Sequence, residues 1–380
     1  MDPARRDVCA RTARRRAVKA WLRISVLTAA VAAYHHGSGA MEEPPVFAGD
    51  LGALHHPIAT SSAEAQGLFD KGLTAFYGFN RDAAQRLFDH GAALDPRAAM
   101  LQAGIALALG PNLNMDADAS EIRAACNAAR SALALAHDAA ERGYAAALHT
   151  RNCTVDGHLN GAAYAEAMAK LARERPDDVD ASVLYADSLL QLRPRTARQE
   201  SEIVAVLEAA LRTHSTHVGA NHLYIHAVEG SDAPLRALES AQRLATLVPG
   251  IGHLLHMPAH IYMRAGDYEA AIRANGGAAA ADFWYLQHNP PGRDGAMYYL
   301  HDLESLAVAD GFDGRFADAR SAAREFARVE AGLAGDPTPN AFSAPLAVVL
   351  LRFHAWTDLL EMSSPPAEER WAPKSIASLR

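Results

Sequence analysis

Apolar residues recur along most of this chain at the three- to four-residue spacing of amphipathic helices. Short segments rich in proline, glycine, asparagine and aspartate interrupt the pattern, as turns between helices do. No segment alternates apolar and polar residues over strand length, so we expect no sheet. The predicted helices flanking a histidine-rich region are residues 65–78, 81–94, 98–109, 120–136, 144–148, 161–174, 179–192, 200–213, 315–330 and 344–360.

Histidines in the second half of the chain repeat at a fixed interval. His222 and His256 are 34 residues apart, and so are His226 and His260. This interval is the length of a tetratricopeptide repeat, a helix–turn–helix unit that stacks on copies of itself. Small and aromatic residues between positions 259 and 272 fit the packing positions of such a repeat. The pattern therefore predicts an all-α fold, a right-handed α-solenoid of tetratricopeptide-like repeats.

The same register places imidazole and carboxylate groups on the first helix of three successive repeats, the helix that lines the concave groove of such solenoids. These residues are His222, His226 and Glu229, then His253, His256 and His260, then His301 and Glu304. At about 100° per residue, each of the first two sets occupies a narrow stripe of its helix. Pro258 lacks a backbone donor, so it must begin a helix or kink one.

Neutral imidazole and carboxylate together suit zinc, copper(II) or non-haem iron. Neighbouring helices lie about 10 Å apart, so ligands from adjacent repeats can converge on one ion. The preferred ligands are His222, His226, His256 and His260. Glu229 would be a ligand or a catalytic base, and it is better placed for this than Glu304. His253, His301 and Glu304 would surround the ligands or help to make a second metal site.

The second and third histidine repeats are separated by 48 residues rather than 34. The extra 14 residues fall around positions 283–295, an aromatic stretch that contains two prolines. Insertions in solenoids often collect on the binding face, which favours a loop that covers the groove as a lid. The alternative is a loop that packs Trp284 and Tyr285 against neighbouring helices. Trp284, Tyr298 and Tyr299 are candidate substrate contacts.

The first forty residues differ from the rest of the chain. Arginines at positions 14–16 precede an apolar stretch at 24–33, and small residues at 37–40 offer a cleavage site. Residues 1–40 therefore predict an export signal, similar to twin-arginine signals, and a periplasmic or secreted protein. The apolar stretch is too short for a stable membrane span. We expect an extended lead-in at 41–62, the repeat domain at 63–362 and a flexible tail at 363–380.

The chain without its predicted signal would be acidic. Removing residues 1–40 leaves 28 Lys and Arg against 42 Asp and Glu, a net charge of −14. So acidic a protein, with no run of basic residues that could form a basic surface patch, is not expected to bind nucleic acid. Cys126 and Cys153 would remain, either as one disulfide in an oxidising compartment or as buried thiols.

The chain resembles a family of bacterial, exported tetratricopeptide-repeat proteins. The blocks that carry the resemblance are Asn221–Glu229 and Gly252–Tyr262, with similar upstream blocks at Gly78–Arg81 and Ala108–Asn114. The resemblance spans roughly residues 55–330 and implies the repeat fold and the histidine site, without a reaction. Relatives carry histidine at the position of Arg81 and glutamate at that of Ala83, so chemistry that depends on those residues is not expected here.

Two functions from different classes follow. The first is an exported metal-dependent enzyme acting on a small substrate in the groove, redox rather than hydrolytic, because imidazole-rich sites without cysteine serve copper and iron. The second is a non-catalytic scaffold that binds a peptide or partner protein in the groove. The sequence lacks a nucleophile elbow and a phosphate-binding glycine loop. Tight retention of a metal would separate the two.

Overall fold

The computed structural model describes residues 44–362, except 291, 293, 294 and 334–343. The predicted export signal and the predicted tail lie outside these residues. All the regular structure that the described residues form is helical. The helices are α1 (Ala63–Tyr77), α2 (Arg81–Leu94), α3 (Ala99–Ala108), α4 (Ala119–Leu135), α5 (Ala139–Asn152), α6 (Gly161–Glu174), α7 (Val179–Leu190), α8 (Ala197–Thr213), α9 (Val218–Val228), α10 (Leu238–Leu247), α11 (Gly252–His256), α12 (Pro258–Ala265), α13 (Tyr268–His288), α14 (Gly295–Phe312), α15 (Phe316–Gly332), α16 (Pro345–Arg352) and α17 (Trp356–Glu361).

Helices adjacent in sequence pack against each other from α1 to α17. The pairs α1–α2, α3–α4, α5–α6 and α7–α8 form successive helical hairpins, and the same arrangement continues through α9–α10 and α14–α15. Buried alanines between the helices let their backbones approach closely. The prediction of an all-α solenoid built from tetratricopeptide-like helical pairs is therefore confirmed.

Side chains that cap the free backbone amides begin many of these helices. The Ser62 side chain accepts from the Ala65 amide at the start of α1, and that of Asn80 accepts from the Ala83 amide at the start of α2. Asp118 and Glu121 form a reciprocal capping box on α4. Such caps fix where each hairpin turns and hence how its helices meet.

Several predicted boundaries are wrong. Helix α5 is longer than the predicted segment 144–148, and the predicted helix 344–360 divides into α16 and α17. Residues 283–288, predicted to be a loop, are the last turns of α13. Four consecutive alanines follow Gly277 in α13, and the helix contains no proline before Pro290, so the inserted residues extend the helix. The predicted lid is therefore absent at 283–288.

The first helical pair packs back against the histidine-bearing repeats. The end of α1 contacts α9. The ring of Tyr77 packs directly against Gly219, and a β-carbon added to Gly219 would lie 2.5 Å from Cδ1 of Tyr77. Arg86 of α2 donates to the Tyr285 hydroxyl of α13 at 2.9 Å. The turn between α1 and α2 consequently lies on the face of these helices that carries the histidines.

The structure joins Cys126 of α4 to Cys153, the residue after α5, in a disulfide with a Cα–Cα distance of 4.9 Å. This matches one of the two alternatives that the sequence left open. Among the described helices, none is both long and apolar enough to cross a lipid bilayer.

Candidate metal centre

The six predicted metal-binding histidines lie together on helices α9, α11, α12 and α14. Three of them are inaccessible to solvent: His222, His253 and His256 expose 0, 2 and 1% of their surface. The cover is Phe79, whose ring centroid lies 4.5 Å from that of His222 and 5.2 Å from that of His253. The turn between α1 and α2 therefore covers the predicted groove where His222, His253 and His256 lie.

The histidines form two triads. In each triad, the candidate ligand atoms of the three residues all lie within 4.8 Å of one another. Triad A is His222, His226 and His253, and triad B is His256, His260 and His301. The four preferred ligands predicted from the sequence thus divide between two groups, and the remaining two histidines complete them. Spacing along helices could not show this, since it depends on how the repeats pack.

Hydrogen bonds orient two rings of triad A. Nδ1 of His222 lies 2.5 Å from the carbonyl oxygen of Tyr77, and Nδ1 of His226 lies 2.9 Å from Oε1 of Glu229. A carbonyl oxygen only accepts, so Nδ1 of His222 must carry the proton and its Nε2 presents a lone pair. The Nε2 atoms of His222 and His226 are buried and have no hydrogen-bond partner among the described residues.

Triad B shows the same arrangement. Nδ1 of His256 lies 2.7 Å from Oδ1 of Asn275, and Nδ1 of His260 bonds to Oε2 of Glu229. The Nε2 atoms of His256 and His260 lie 2.8 Å apart. With both Nδ1 atoms protonated, two lone pairs face each other at this distance, so a shared proton or a cation is needed between them.

His253 lies where the triads meet. Its ring centroid is 5.0 Å from that of His222 and 5.9 Å from that of His256. Neither of its ring nitrogens has a hydrogen-bond partner in the described part of the chain. A buried polar atom without a partner costs about 1–3 kcal/mol, so a bound ligand is the expected reason for this arrangement.

The electrostatics of the site keep the imidazoles neutral, which is the form that binds metals. Burial lowers the pKa of His222, His253 and His256 well below its ordinary value, and neighbouring histidines add to this effect. Burial also lowers the pKa of His301 to about 4. For Glu229, burial would raise the pKa, but hydrogen bonds from His226 and His260 outweigh it and hold the pKa below its usual range.

Solvent reaches the centre on one side. The side chains of His260 and Glu229 remain 29 and 26% exposed, whereas that of His226 is only 6% exposed. An ion could therefore enter beside Glu229. Glu229 was predicted to be a ligand or a catalytic base. In the structure, both of its carboxylate oxygens are bonded to histidine nitrogens.

Two buried carboxyl groups lie behind triad B. Oδ1 of Asp302 is 3.7 Å from Nδ1 of His256, and the carboxyl group of Asp282 lies beside that of Asp302. Burial raises the pKa of Asp282 to about 7 and also raises that of Asp302. Sequence analysis missed both residues and Asn275, although Asp302 directly follows His301.

Of the other predicted site residues, one lies beside the histidines and the rest lie elsewhere. Tyr298 lies beside the centre, with its ring centroid 4.7 Å from that of His253. The Tyr299 hydroxyl points to Glu325 of α15 instead, and Trp284 stacks on the exposed ring of His288. Glu304 is half-buried one turn beyond His301 on α14 and belongs to neither triad.

Phe79 and Tyr77 are the contributors that sequence analysis did not identify. Phe79 adopts φ 58°, a left-handed conformation that costs a bulky residue about 1–2 kcal/mol, and this conformation carries its ring among the histidines. The Gly78–Arg81 block, noted for its resemblance, was the available signal. Arg81 is buried and donates to the carbonyl oxygen of Gly110 at 3.0 Å.

A separate polar cluster fixes the lead-in segment. His56 Nδ1 and Asp180 Oδ2 are 2.8 Å apart, and Asp180 Oδ1 accepts from the Tyr77 hydroxyl at 2.7 Å and from His217 at 3.1 Å. Burial alone would lower the pKa of His56 and raise that of Asp180, but their mutual contact outweighs burial in both groups. Asp178 lies 4.0 Å from His56. This cluster ties residues before α1 to helix α7.

No protein-family model matches this chain, and no curated protein sequence matches it. Among solved structures, the chain is similar to yeast Tom70, with 13% identity, a TM-score of 0.40 and coverage of 100% of this chain and 74% of that one. It is also similar to the tetratricopeptide-repeat domain of P58(IPK), with 12% identity, a TM-score of 0.21 and coverage of 83 and 97%. Neither similarity concerns the chemistry of the triads.

Proposed function

We propose that this chain is a helical-repeat protein that binds transition-metal ions through its two histidine triads. The observation that carries the proposal is the common orientation of four rings. In His222, His226, His256 and His260, Nδ1 faces an acceptor and Nε2 is left for a ligand. Metal-binding histidines almost always donate their second ring nitrogen in this way.

The donor set supports copper(II), zinc or iron. Imidazole suits all three ions, and the triads contain no cysteine, which favours softer ions and clusters. Three histidines leave a coordination position open, as in catalytic rather than closed structural zinc sites. A metal-dependent reaction, redox rather than hydrolytic, is therefore the catalytic role that we propose for the centre, with Tyr298 at its edge.

Metal analysis of untagged protein tests the proposal. Inductively coupled plasma mass spectrometry should find near-stoichiometric copper, zinc or iron in the wild type. The His222→Ala, His226→Ala double variant should lose the metal of triad A, because that triad keeps one ligand, and should retain the metal of triad B. The matched control is the double variant of two exposed histidines, His158→Ala and His214→Ala, which should retain the wild-type metal content. Folded wild-type protein that stays metal-free after reconstitution would refute the proposal.

The second candidate is a non-catalytic scaffold for a peptide or partner protein. The helical-repeat architecture favours it, because solenoids mostly serve as extended binding surfaces. At the level of the histidines the inner face is covered by Phe79. A peptide would therefore bind elsewhere on the solenoid or displace the turn between α1 and α2. The metal-free outcome of the same experiment would favour this candidate.

We further propose that the protein works outside the cytoplasm. The support is the arginine-rich, apolar leader at residues 1–40 together with the disulfide between Cys126 and Cys153, which is typical of oxidising compartments. Fractionation of cells producing the full chain tests this. Protein found only in the cytoplasm, with both thiols free, would refute it.

A further inference from the structure

We infer that the centre binds two ions, one in each triad, and that Glu229 couples them by orienting one ligand of each. This inference rests on the proposed function. Oε1 of Glu229 bonds to Nδ1 of His226 in triad A, and Oε2 bonds to Nδ1 of His260 in triad B. One carboxylate therefore serves both halves of the centre.

Distances support two ions rather than one. Zinc–nitrogen bonds are about 2.0–2.1 Å long, so ligand nitrogens that share an ion lie within roughly 4 Å of one another. The close atoms occur within each triad, whose candidate ligand atoms lie within 4.8 Å. Six imidazoles also exceed what one ion takes.

The role of Glu229 follows from its two hydrogen bonds. A metal-binding imidazole must keep its proton on Nδ1 to present Nε2, and an acceptor at Nδ1 fixes both the tautomer and the ring orientation. Glu229 does this for His226 and His260, whereas Asn275 contacts only His256. Removing the Glu229 side chain should therefore lower the affinity for both ions, and removing the Asn275 side chain should lower the affinity for the triad B ion alone. Glu229 is a positioning residue in this scheme.

The experiment is a competitive titration of the full-length, metal-free protein with Zn²⁺ against a chromophoric chelator, which gives both the number of ions and each affinity. The wild type should bind two Zn²⁺ per chain. Glu229→Ala should weaken both sites about 10- to 100-fold, the usual effect of losing such a partner. Asn275→Ala, the matched control, should weaken one site by a similar factor. Circular dichroism checks that each variant folds.

Every outcome decides something. No bound Zn²⁺, copper or iron would refute the proposed function itself. One ion per chain would leave the proposed function standing and overturn the two-ion inference. The coupling would be overturned if the protein binds two ions but Glu229→Ala lowers the affinity of only one site. It would also be overturned if Asn275→Ala lowers the affinity of both sites equally. If Glu229→Ala does not fold, Glu229→Gln replaces it: the isosteric amide keeps one acceptor oxygen, so one site should weaken and the other should not.

Discussion

Replacing His253 by leucine should make the metal-free protein more stable while it destroys metal binding in triad A. His253 is 2% exposed, and neither of its ring nitrogens bonds to another described residue. In the metal-free state, therefore, its polar atoms are buried without compensation. Leucine has a similar volume and no polar atom, so it removes this penalty. A stabilising substitution at a proposed ligand would be a direct sign that function, not packing, placed the histidine there.

The magnitude follows from the contacts. Two orphaned polar atoms at about 1–3 kcal/mol each amount to roughly 4 kcal/mol. Against this, leucine loses ring contacts with Phe79 and Tyr298 at about 1 kcal/mol, and an imperfect fit costs up to about 1.5 kcal/mol. The net expectation is a gain of about 1–2 kcal/mol in the free energy of unfolding.

The assay is urea unfolding at pH 7.5 in a chelator, repeated with excess Zn²⁺. His222→Leu is the matched control, because His222 is equally buried but donates to the Tyr77 carbonyl. It should give no gain in the free energy of unfolding, because it removes one orphaned atom, Nε2 of His222, but leaves the Tyr77 carbonyl oxygen without its donor, and each atom is worth about 1–3 kcal/mol. With Zn²⁺, both variants should gain less stability than the wild type. Equal destabilisation by the two leucine substitutions in chelator would refute the reasoning about His253.

Three further predictions concern the scaffold around the centre. Gly219→Ala places a β-carbon against the Tyr77 ring and should cost about 1–3 kcal/mol and weaken Zn²⁺ binding, whereas Gly67→Ala, which meets no neighbour, should not destabilise the fold; urea unfolding and Zn²⁺ titration test this. Asp180→Asn should lower the free energy of unfolding by about 3–5 kcal/mol near pH 5.5, because it removes the carboxylate bonded to His56 and His217 and leaves His56 with Asp178 at 4.0 Å. The pKa of Asp180 is lowered and that of His56 raised, so the pair stabilises most between their unfolded values of about pH 3.9 and 6.5. The Asp180 contribution is lost below that range, and the His56 contribution is lost as pH rises through its folded pKa; equal effects of Asp180→Asn at pH 5.5 and 9 would contradict this. Reduction of the disulfide, which joins residues 27 apart, should cost about 3–4 kcal/mol in thermal or urea unfolding, and an unchanged midpoint would contradict it.

The helical class and the histidine set could be predicted from the sequence because both depend on local spacing. A period of 34 residues is a property of the chain, and it placed His222 and His226 in positions equivalent to those of His256 and His260. Pro258 likewise had to begin or kink a helix, and it is the first residue of α12. Residues 283–288 were predicted wrongly as a loop because an insertion in a repeat can lengthen a helix as readily as a loop, and alanine favours the helix.

The sequence by itself determined which histidines the centre contains, whereas only the tertiary structure decided how they are divided and oriented and which other residues surround them. The division into two triads depends on contacts between helices far apart in the chain. The orientation of His222 depends on the Tyr77 carbonyl, 145 residues away in sequence, and that of His256 depends on Asn275. Burial of the site depends on Phe79, in a hairpin that packs back onto the later repeats. Helical periodicity fixes which face a residue occupies, but it contains no information about what packs against that face.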